Sequence, residues 1–455
     1  MDKTVLAIDI GTTSVVAVVA QNDLNHKINI LGTGKTISDG IKKGAIVDIH
    51  KASICIADAV NAAKSSSSAN ITSTVVSISG IHTKSIRSRG FINIPSGQIT
   101  TKEISQVLTM ALYDASVIPN YEVIHVIPLY FKIDDNNTID NPLNMNGSRL
   151  EVYTNIITAK KTSINNIQSA LKQSNLEVDN FVLSSYASTI ATLKDDQKKL
   201  GTAVIDLGGS TTELAIFKNK SITFNDVVPI GSEAITKDLS ITLHTPLSAA
   251  DEVKKQYSSL LPKNLDTDIT KVKIPRLGNE SESQEISLDF IQPLIHARVE
   301  ETLCLIHEKL SKSGLKDTVN GIVLTGGMSK IPGIDLLTQR VFINLPVKIS
   351  NPKNIQNGYI NFEDASLSTI VGLLFYALDS DPFFELDSNK KLRQSSIKKE
   401  DSIKEDTKQE ATIIHNPHEN ESMDTLESLK TIEDKHKNKS ENVFSKLWKK
   451  IGELV

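Results

Sequence analysis

Only two cysteines, Cys55 and Cys304, occur in the 455 residues, which excludes a disulfide framework and a four-ligand zinc site. Each falls in a helix-like stretch and reads as a small buried hydrophobe. A surplus of positive charge is missing too. With 50 basic against 54 acidic residues the net charge is −4, and no Lys/Arg-rich block stands out in the first 385 residues. The electrostatic footprint of a nucleic-acid binder is therefore absent. Long apolar runs are missing: residues 370–378 form the longest, about half a membrane span. The chain runs from Met-Asp-Lys straight into the strand pattern Val5-Leu6-Ala7-Ile8, with no signal-peptide core, so it is expected to fold in the cytoplasm. His82, His125, His296 and His307 show no metal-ligand spacing and read as structural or surface residues. What is plentiful is apolar residues, 39% of the chain and periodic, which excludes disorder throughout. The length suggests about three globular units.

Up to residue 386, short β-rich runs alternate with amphipathic helical stretches, the pattern of an α/β protein. From 387 to 441 charges of both signs mix with Ser, Thr, Asn and Gln and apolar periodicity fades. Such a segment cannot bury enough surface to offset its ordering entropy, and it reads as a disordered linker. Periodicity returns over residues 442–455. Within the globular region a single pattern occurs twice. Val5-Leu6-Ala7-Ile8-Asp9-Ile10-Gly11-Thr12-Thr13 reads strand then polar turn, followed by a second strand, and Ala203-Val204-Ile205-Asp206-Leu207-Gly208-Gly209-Ser210-Thr211 reads the same way with one extra turn residue. A weaker echo joins Val75-Val76-Ser77-Ile78-Ser79-Gly80 to Ile322-Val323-Leu324-Thr325-Gly326-Gly327. The repeat predicts a duplicated α/β fold with a cleft between the copies.

Each hairpin ends an apolar strand in one Asp and turns on Gly, which tolerates positive φ. The turn exposes successive backbone N–H groups beside hydroxyls, a nest for an anion. Gly11, Thr12 and Thr13, and Gly208, Gly209, Ser210 and Thr211, are thus candidate phosphate clamps. Asp9 and Asp206 cannot hold phosphate, since like charges repel, but can hold a phosphate-bound magnesium through water. The alternative is two ordinary hairpins with Gly turns, and the matched pair of Asp residues weighs against it. A third piece, Leu324-Thr325-Gly326-Gly327-Met328-Ser329-Lys330-Ile331-Pro332-Gly333, ends a strand at a Gly pair, with Pro332 expected in the first turn of a following helix. Paired glycines let a flat ring or a sugar approach the backbone. An ordinary strand–helix connection is the other reading of this loop. It is neither a Walker A loop nor a dinucleotide fingerprint.

These three motifs in this order resemble the actin/Hsp70/sugar-kinase superfamily of ATP-binding proteins, and more closely the bacterial cell-division family FtsA. Ser38-Asp39-Gly40-Ile41-Lys42-Lys43-Gly44-Ala45-Ile46-Val47-Asp48 is similar to a stretch typical of that family. So are Ser77-Ile78-Ser79-Gly80-Ile81-His82, Gly231-Ser232-Glu233-Ala234-Ile235-Thr236-Lys237-Asp238-Leu239 and Thr245-Pro246-Leu247-Ser248-Ala249-Ala250-Asp251-Glu252-Val253-Lys254. The resemblance covers about residues 1–385 and returns at the C-terminal tip. It implies an actin-like two-lobed fold. Subdomain 1A would comprise 1–82, 161–199 and 363–386. Subdomain 1C, an inserted self- and partner-binding unit, would be 83–160; 2A would be 200–235 and 308–362, and 2B 236–307. It implies ATP and Mg2+ as cofactors, with Gly326, Gly327, Met328, Asp251 and Lys254 around the adenosine. Asp251 and Lys254, at i and i+3 of one helix face, can serve one pocket, or form a solvated surface pair. It also implies filaments of the protein itself, tethering of FtsZ and recruitment of later division proteins. The place would be the cytoplasmic face of the bacterial inner membrane at the division site. ATPases of the superfamily usually carry Glu or Gln in the helix linking the halves, where this chain has Leu183-Ser184-Ser185. Serine is too weak a base to act alone, so slow or absent hydrolysis is expected, with a water-mediated route through Asp206 as its only catalytic candidate.

The tip, residues 442–455, carries the only Trp. Val443, Phe444, Leu447, Trp448, Ile451, Leu454 and Val455 fall on one helix face, flanked by Lys446, Lys449 and Lys450. Fourteen helical residues span about 21 Å, too short to cross hydrocarbon. The pattern suits a helix lying flat under anionic headgroups, each Lys adding about 1 kcal/mol. Docking on the body or in a partner groove is the alternative. Two other functions remain open on sequence: a pilus-assembly relative of FtsA, and a small-molecule kinase of the same superfamily. Neither explains the amphipathic tip.

Overall fold

The computed structural model describes residues 3–23, 27–67, 69–134, 138–261, 271–355, 362–378 and 384–394. The chain divides into a unit of residues 1–397 and a second of 398–455, and the second lies wholly outside the described residues, as does the expected membrane helix.

Strands rich in Val, Ile and Ala open the chain: β1 (Thr4–Ile10), β2 (Ser14–Asn22) and β3 (Ile28–Ile37) form a meander. A small hairpin of β4 (Ile41–Lys42) and β5 (Ala45–Ile46) leads to α1 (Ile49–Ser65), whose first turn is capped by the Asp48 carboxylate on the Lys51 N–H. Then β6 (Ser73–Ile78) pairs in parallel with β1. An insert follows, made of β7 (Thr83–Asn93), α2 (Thr101–Asp114), β8 (Tyr121–Ile133) and β9 (Arg149–Lys160). The chain returns through α3 (Lys161–Lys172), β10 (Asn180–Leu183), α4 (Ser184–Thr192) and α5 (Asp195–Leu200). The order of the first sheet is β10-β6-β1-β2-β3.

The second copy repeats this plan. β11 (Thr202–Leu207) runs antiparallel to β12 (Thr212–Lys218), which pairs with β13 (Ser221–Val228). α6 (Ser232–Thr242), α7 (Leu247–Tyr257), the hairpin β14 (Lys271–Arg276) and β15 (Asn279–Ser287), and α8 (Leu288–Lys312) intervene. β16 (Ile322–Thr325) then pairs in parallel with β11, and after α9 (Ile334–Val341) so does β17 (Val347–Ile349) with β16. The order β13-β12-β11-β16-β17 matches the first sheet strand for strand, so the echo between residues 75–80 and 322–327 is a true structural equivalence. Alternate residues of the second sheet divide between two cores. Val204, Ala215 and Phe217 pack with the first lobe, while Ile205, Leu214 and Ile216 pack beneath α8. Burial on both faces explains why these strands read as unbroken apolar runs.

Three details differ from the sequence expectation. After α10 (Ser368–Leu378), β18 (Phe384–Leu386) leaves the first lobe and pairs with β8, and β19 (Leu392–Gln394) pairs with β18. The insert's sheet is therefore β19-β18-β8-β9-β7. It takes residues 384–386, assigned above to subdomain 1A, and the start of the expected linker. The cause is a buried polar network centred on Glu385 that reaches Arg393 in the expected linker. Glu385 is fully buried and receives His125 Nδ1 at 2.6 Å, Tyr376 Oη at 2.8 Å and Tyr186 Oη at 3.2 Å, with Arg393 at 3.7 Å. On its other side His125 Nε2 lies 3.1 Å from the Leu183 N–H, which ties β8 to the start of α4. Second, Cys55 is buried but Cys304 is exposed, because Leu303 and Ile306 take the core face of α8. Third, Gly326 and Gly327 lead into a 3-10 turn (Gly327–Lys330), and Pro332 precedes α9 rather than sitting in its first turn.

Candidate functional site

The two repeated hairpins turn toward each other. In each, the first turn amide closes the loop: Gly11 N donates to Ser14 O at 3.1 Å and Gly208 N to Thr211 O at 3.0 Å. A Cβ placed on Gly209 would lie 2.5 Å from Thr13 Cγ2, so the two turns are in contact. Thr12 Oγ1 accepts from Gly44 N at 3.4 Å, which seats the β4–β5 hairpin on the first turn. The second turn is held by α6. Ser232 N donates to Gly208 O (3.1 Å), Glu233 N donates to Gly209 O (2.8 Å), and Ser210 Oγ donates to the Glu233 carboxylate (2.7 Å).

Asp9 and Asp206 end their strands at this junction. Ser77 Oγ donates to Asp9 Oδ1 at 2.8 Å. Burial, then the charge of Glu213, raises Asp9 to about 6, despite the Ser77 hydrogen bond. Burial, then Glu213 and then Asp9, raises Asp206 to about 7, against hydrogen bonds from Ser188 and Thr369. These are carboxylates lacking a counter-charge. Among the described residues no group of three or more His, Cys, Asp or Glu side chains is placed to bind a metal ion directly. A cation held through water by Asp9 and Asp206 fits the site: it supplies positive charge to a half-buried pair whose carboxyls are both raised.

Glu213, which sequence reasoning missed, sits directly opposite Asp206 across β11 and β12. It is 5% exposed and fully engaged. Its Oε1 accepts from Ser79 Oγ (2.8 Å) and Gly80 N (3.0 Å), and its Oε2 from Ser185 N (3.0 Å). One side chain of the second lobe thus holds the end of β6 and the start of α4. The signal was in the repeat: across the first hairpin Asp9 faces Val16, whereas Asp206 faces an acid. Ser184 begins α4, and the carboxylate beside this helix start is that of Glu213.

The remaining expected residues lie along the second lobe. Gly326 adopts φ +87, and a side chain there would meet Asp206 Oδ1 and Leu207 O, so the Gly326-Gly327-Met328 loop abuts the Asp206 strand. Met328 is buried. Asp251 and Lys254 do share a face of α7, paired at 2.6 Å. Lys254 Nζ also donates to Thr236 Oγ1 (2.7 Å) and Ser232 O (3.4 Å), and these two bonds tie α7 to the helix whose start holds the Gly208–Gly209 turn. Burial alone would raise the Asp251 carboxyl, but Lys254 and Lys255 outweigh it and hold it below the ordinary range.

Comparison with known proteins shows the family. A family model described as "Cell division protein FtsA" matches residues 203–372, and one described as "SHS2 domain inserted in FTSA" matches residues 80–158. The FtsA of Helicobacter pylori (strain J99) is 34% identical over 414 residues, 84% of this chain and 84% of the relative. That of Pseudomonas aeruginosa is 32% identical over 378 residues (83% and 89%), and that of Borreliella burgdorferi 33% over 403 residues (88% and 96%). Among solved structures, a PilM-PilN type IV pilus biogenesis complex aligns with TM-score 0.55 at 14% identity, covering 82% of this chain and 98% of that one. MreB5 of Spiroplasma citri bound to ADP aligns with TM-score 0.50 at 13% identity, covering 82% and 96%. At such identities these two likenesses report the fold.

Proposed function

The chain belongs to the FtsA family of cell-division proteins and has its actin-like fold, and from that premise we propose that it is an ATP-dependent membrane adaptor for the division ring. In this reading ATP lies between the hairpin turns. Backbone N–H groups and hydroxyls of Gly11, Thr12, Thr13, Gly208, Gly209, Ser210 and Thr211 take the phosphates. Gly326, Gly327 and Met328 lie under the adenosine, and Asp251 with Lys254 borders it. Asp9 and Asp206 hold magnesium through water, and the metal supplies charge to the phosphates and relieves the two half-buried carboxylates. The observation that carries the reading is the pair of facing Gly turns, each preceded by a half-buried Asp whose carboxyl is raised above its ordinary range.

Hydrolysis is slow in this account. Ser184 is no base, and both oxygens of Glu213 are committed to donors, which leaves Asp206, acting through water, as the sole route. Nucleotide then serves to close the lobes and favour filaments of this protein at the cytoplasmic face of the inner membrane. The filaments bind FtsZ and later division proteins, and nucleic acid is not a partner. Among the described residues no helix is long and apolar enough to cross a membrane. Attachment falls to the helix proposed for residues 442–455, through Val443, Phe444, Leu447, Trp448 and Ile451 with Lys446, Lys449 and Lys450 toward anionic lipid. A single such helix binds weakly, and polymerisation multiplies it through effective concentration. The test pairs liposome flotation of the full chain and of a chain ending at Glu441 with co-sedimentation of FtsZ. Flotation only of the full chain, carrying FtsZ with it, is expected. Equal flotation of both forms refutes the anchor, and free FtsZ refutes the tether.

A further inference from the structure

Away from the hairpin turns, a cavity of about 210 Å3 lies where the insert joins the first lobe. Both roots of the insert reach it: His82, immediately before β7, and Lys160, the last residue of β9. Thr162, Ser163 and Asn166 of α3 form another wall, and the β4–β5 hairpin a third. None of the lining residues is acidic.

The polar groups round this cavity are short of partners. Both ring nitrogens of His82 are shielded from solvent and neither has a hydrogen bond. Shielded polar atoms in folded proteins are nearly always paired, so a half-buried imidazole with both nitrogens shielded and unpaired calls for a partner from outside the chain. Burial, then the charge of Lys160, holds this imidazole below its ordinary range, so the chain itself offers it no anion. α3 begins without a side-chain cap and without an acid in its first turn. An ammonium, two hydroxyls, an amide and an imidazole therefore border one space with no negative charge among them. A group with several oxygens and at least one negative charge matches that set, and a flat carboxylate uses fewer of the donors than a tetrahedral oxyanion.

We propose that this cavity binds a phosphate group, free or carried on a small phosphomonoester. Bound there, the anion bridges the insert's two roots to α3 and to the hairpin whose Gly44 N–H rests on Thr12. It sets the insert's attachment to the lobe, and its link to the first hairpin turn rests on the nucleotide reading above.

The test is a titration of the full chain with inorganic phosphate, following the ring 1H–15N signals of His82, identified by their loss in His82→Asn. Glycerol phosphate forms a second arm and acetate a control. Saturating shifts at low-millimolar phosphate are expected, with affinity lost about tenfold in Lys160→Ala, a change at an exposed position that leaves the fold intact. Tighter binding of glycerol phosphate than of phosphate would identify the ester as the source, and the reverse would identify the free ion. The Asp9→Asn/Asp206→Asn double variant is expected to keep the response, which separates this cavity from the nucleotide site. No shift up to tens of millimolar, an equal response to acetate, or an unaltered response in Lys160→Ala overturns the proposal.

Discussion

Glu213 accepts hydrogen bonds from three residues that belong to a different lobe from its own strand, while its charge presses on two neighbouring carboxylates. Like charges directly opposite on paired strands are unfavourable, so the Asp206–Glu213 pair is held by those donors and by burial in the lobe junction. Glu213→Ala leaves the Gly80 and Ser185 amides buried and unpaired and is expected to cost about 3 kcal/mol, read as a lower midpoint in chemical denaturation. Glu213→Gln removes the charge, and carboxyl-resolved NMR should then show Asp206 titrating below its value of about 7. An unmoved Asp206 would mean that burial alone sets it. The Asp pair also makes a pH prediction. The folded state keeps protons on Asp9 and Asp206 up to about 6 and about 7, whereas the unfolded chain releases them near 3.8. In that interval the folded state binds more protons, so their contribution to stability falls as pH rises from about 4 to about 7. Thermal melts of the nucleotide-free protein should show that decline, and Asp206→Asn should flatten it. The Asp residues were legible because each ends an apolar strand before a Gly turn and the pattern occurs twice. Glu213 is marked only by the register of its hairpin, where it replaces the Val16 of the first copy, and the donors that hold it lie in distant segments of the chain.

At the scale of elements, the strands after α10 matter most. β18 and β19 extend the insert's sheet, and Glu385 is the point at which β8, β18, α4 and α10 meet. Burial alone would raise the Glu385 carboxyl, but His125 and Arg393 outweigh it and keep it ionised. Taking away one member of a buried charged network leaves the others uncompensated, and Glu385→Ala is expected to lose about 3–5 kcal/mol. Hydrogen exchange should quicken first in β8, β18 and β19. Unchanged protection there would show that apolar packing by Phe384 and Leu386 suffices. This junction could not be read in advance, since His125 and Glu385 are 260 positions apart and nothing local to either points to the other. The hairpins, by contrast, are local, and β1–β2 and β11–β12 were evident from their apolar runs and Gly turns.

For the molecule as a whole, the repeat in the sequence is a repeat in space, two sheets of one topology meeting at their first hairpins. That arrangement makes the lobe junction the natural place for a ligand to act on both halves at once. The central claim is that a magnesium–ATP complex binds there, and equilibrium dialysis of the full chain against ATP with magnesium tests it most directly. The account predicts one ATP bound per chain, lost in the Asp9→Asn/Asp206→Asn variant while its circular dichroism stays unchanged. No uptake at millimolar ATP, or uptake equal in the two proteins, would contradict it.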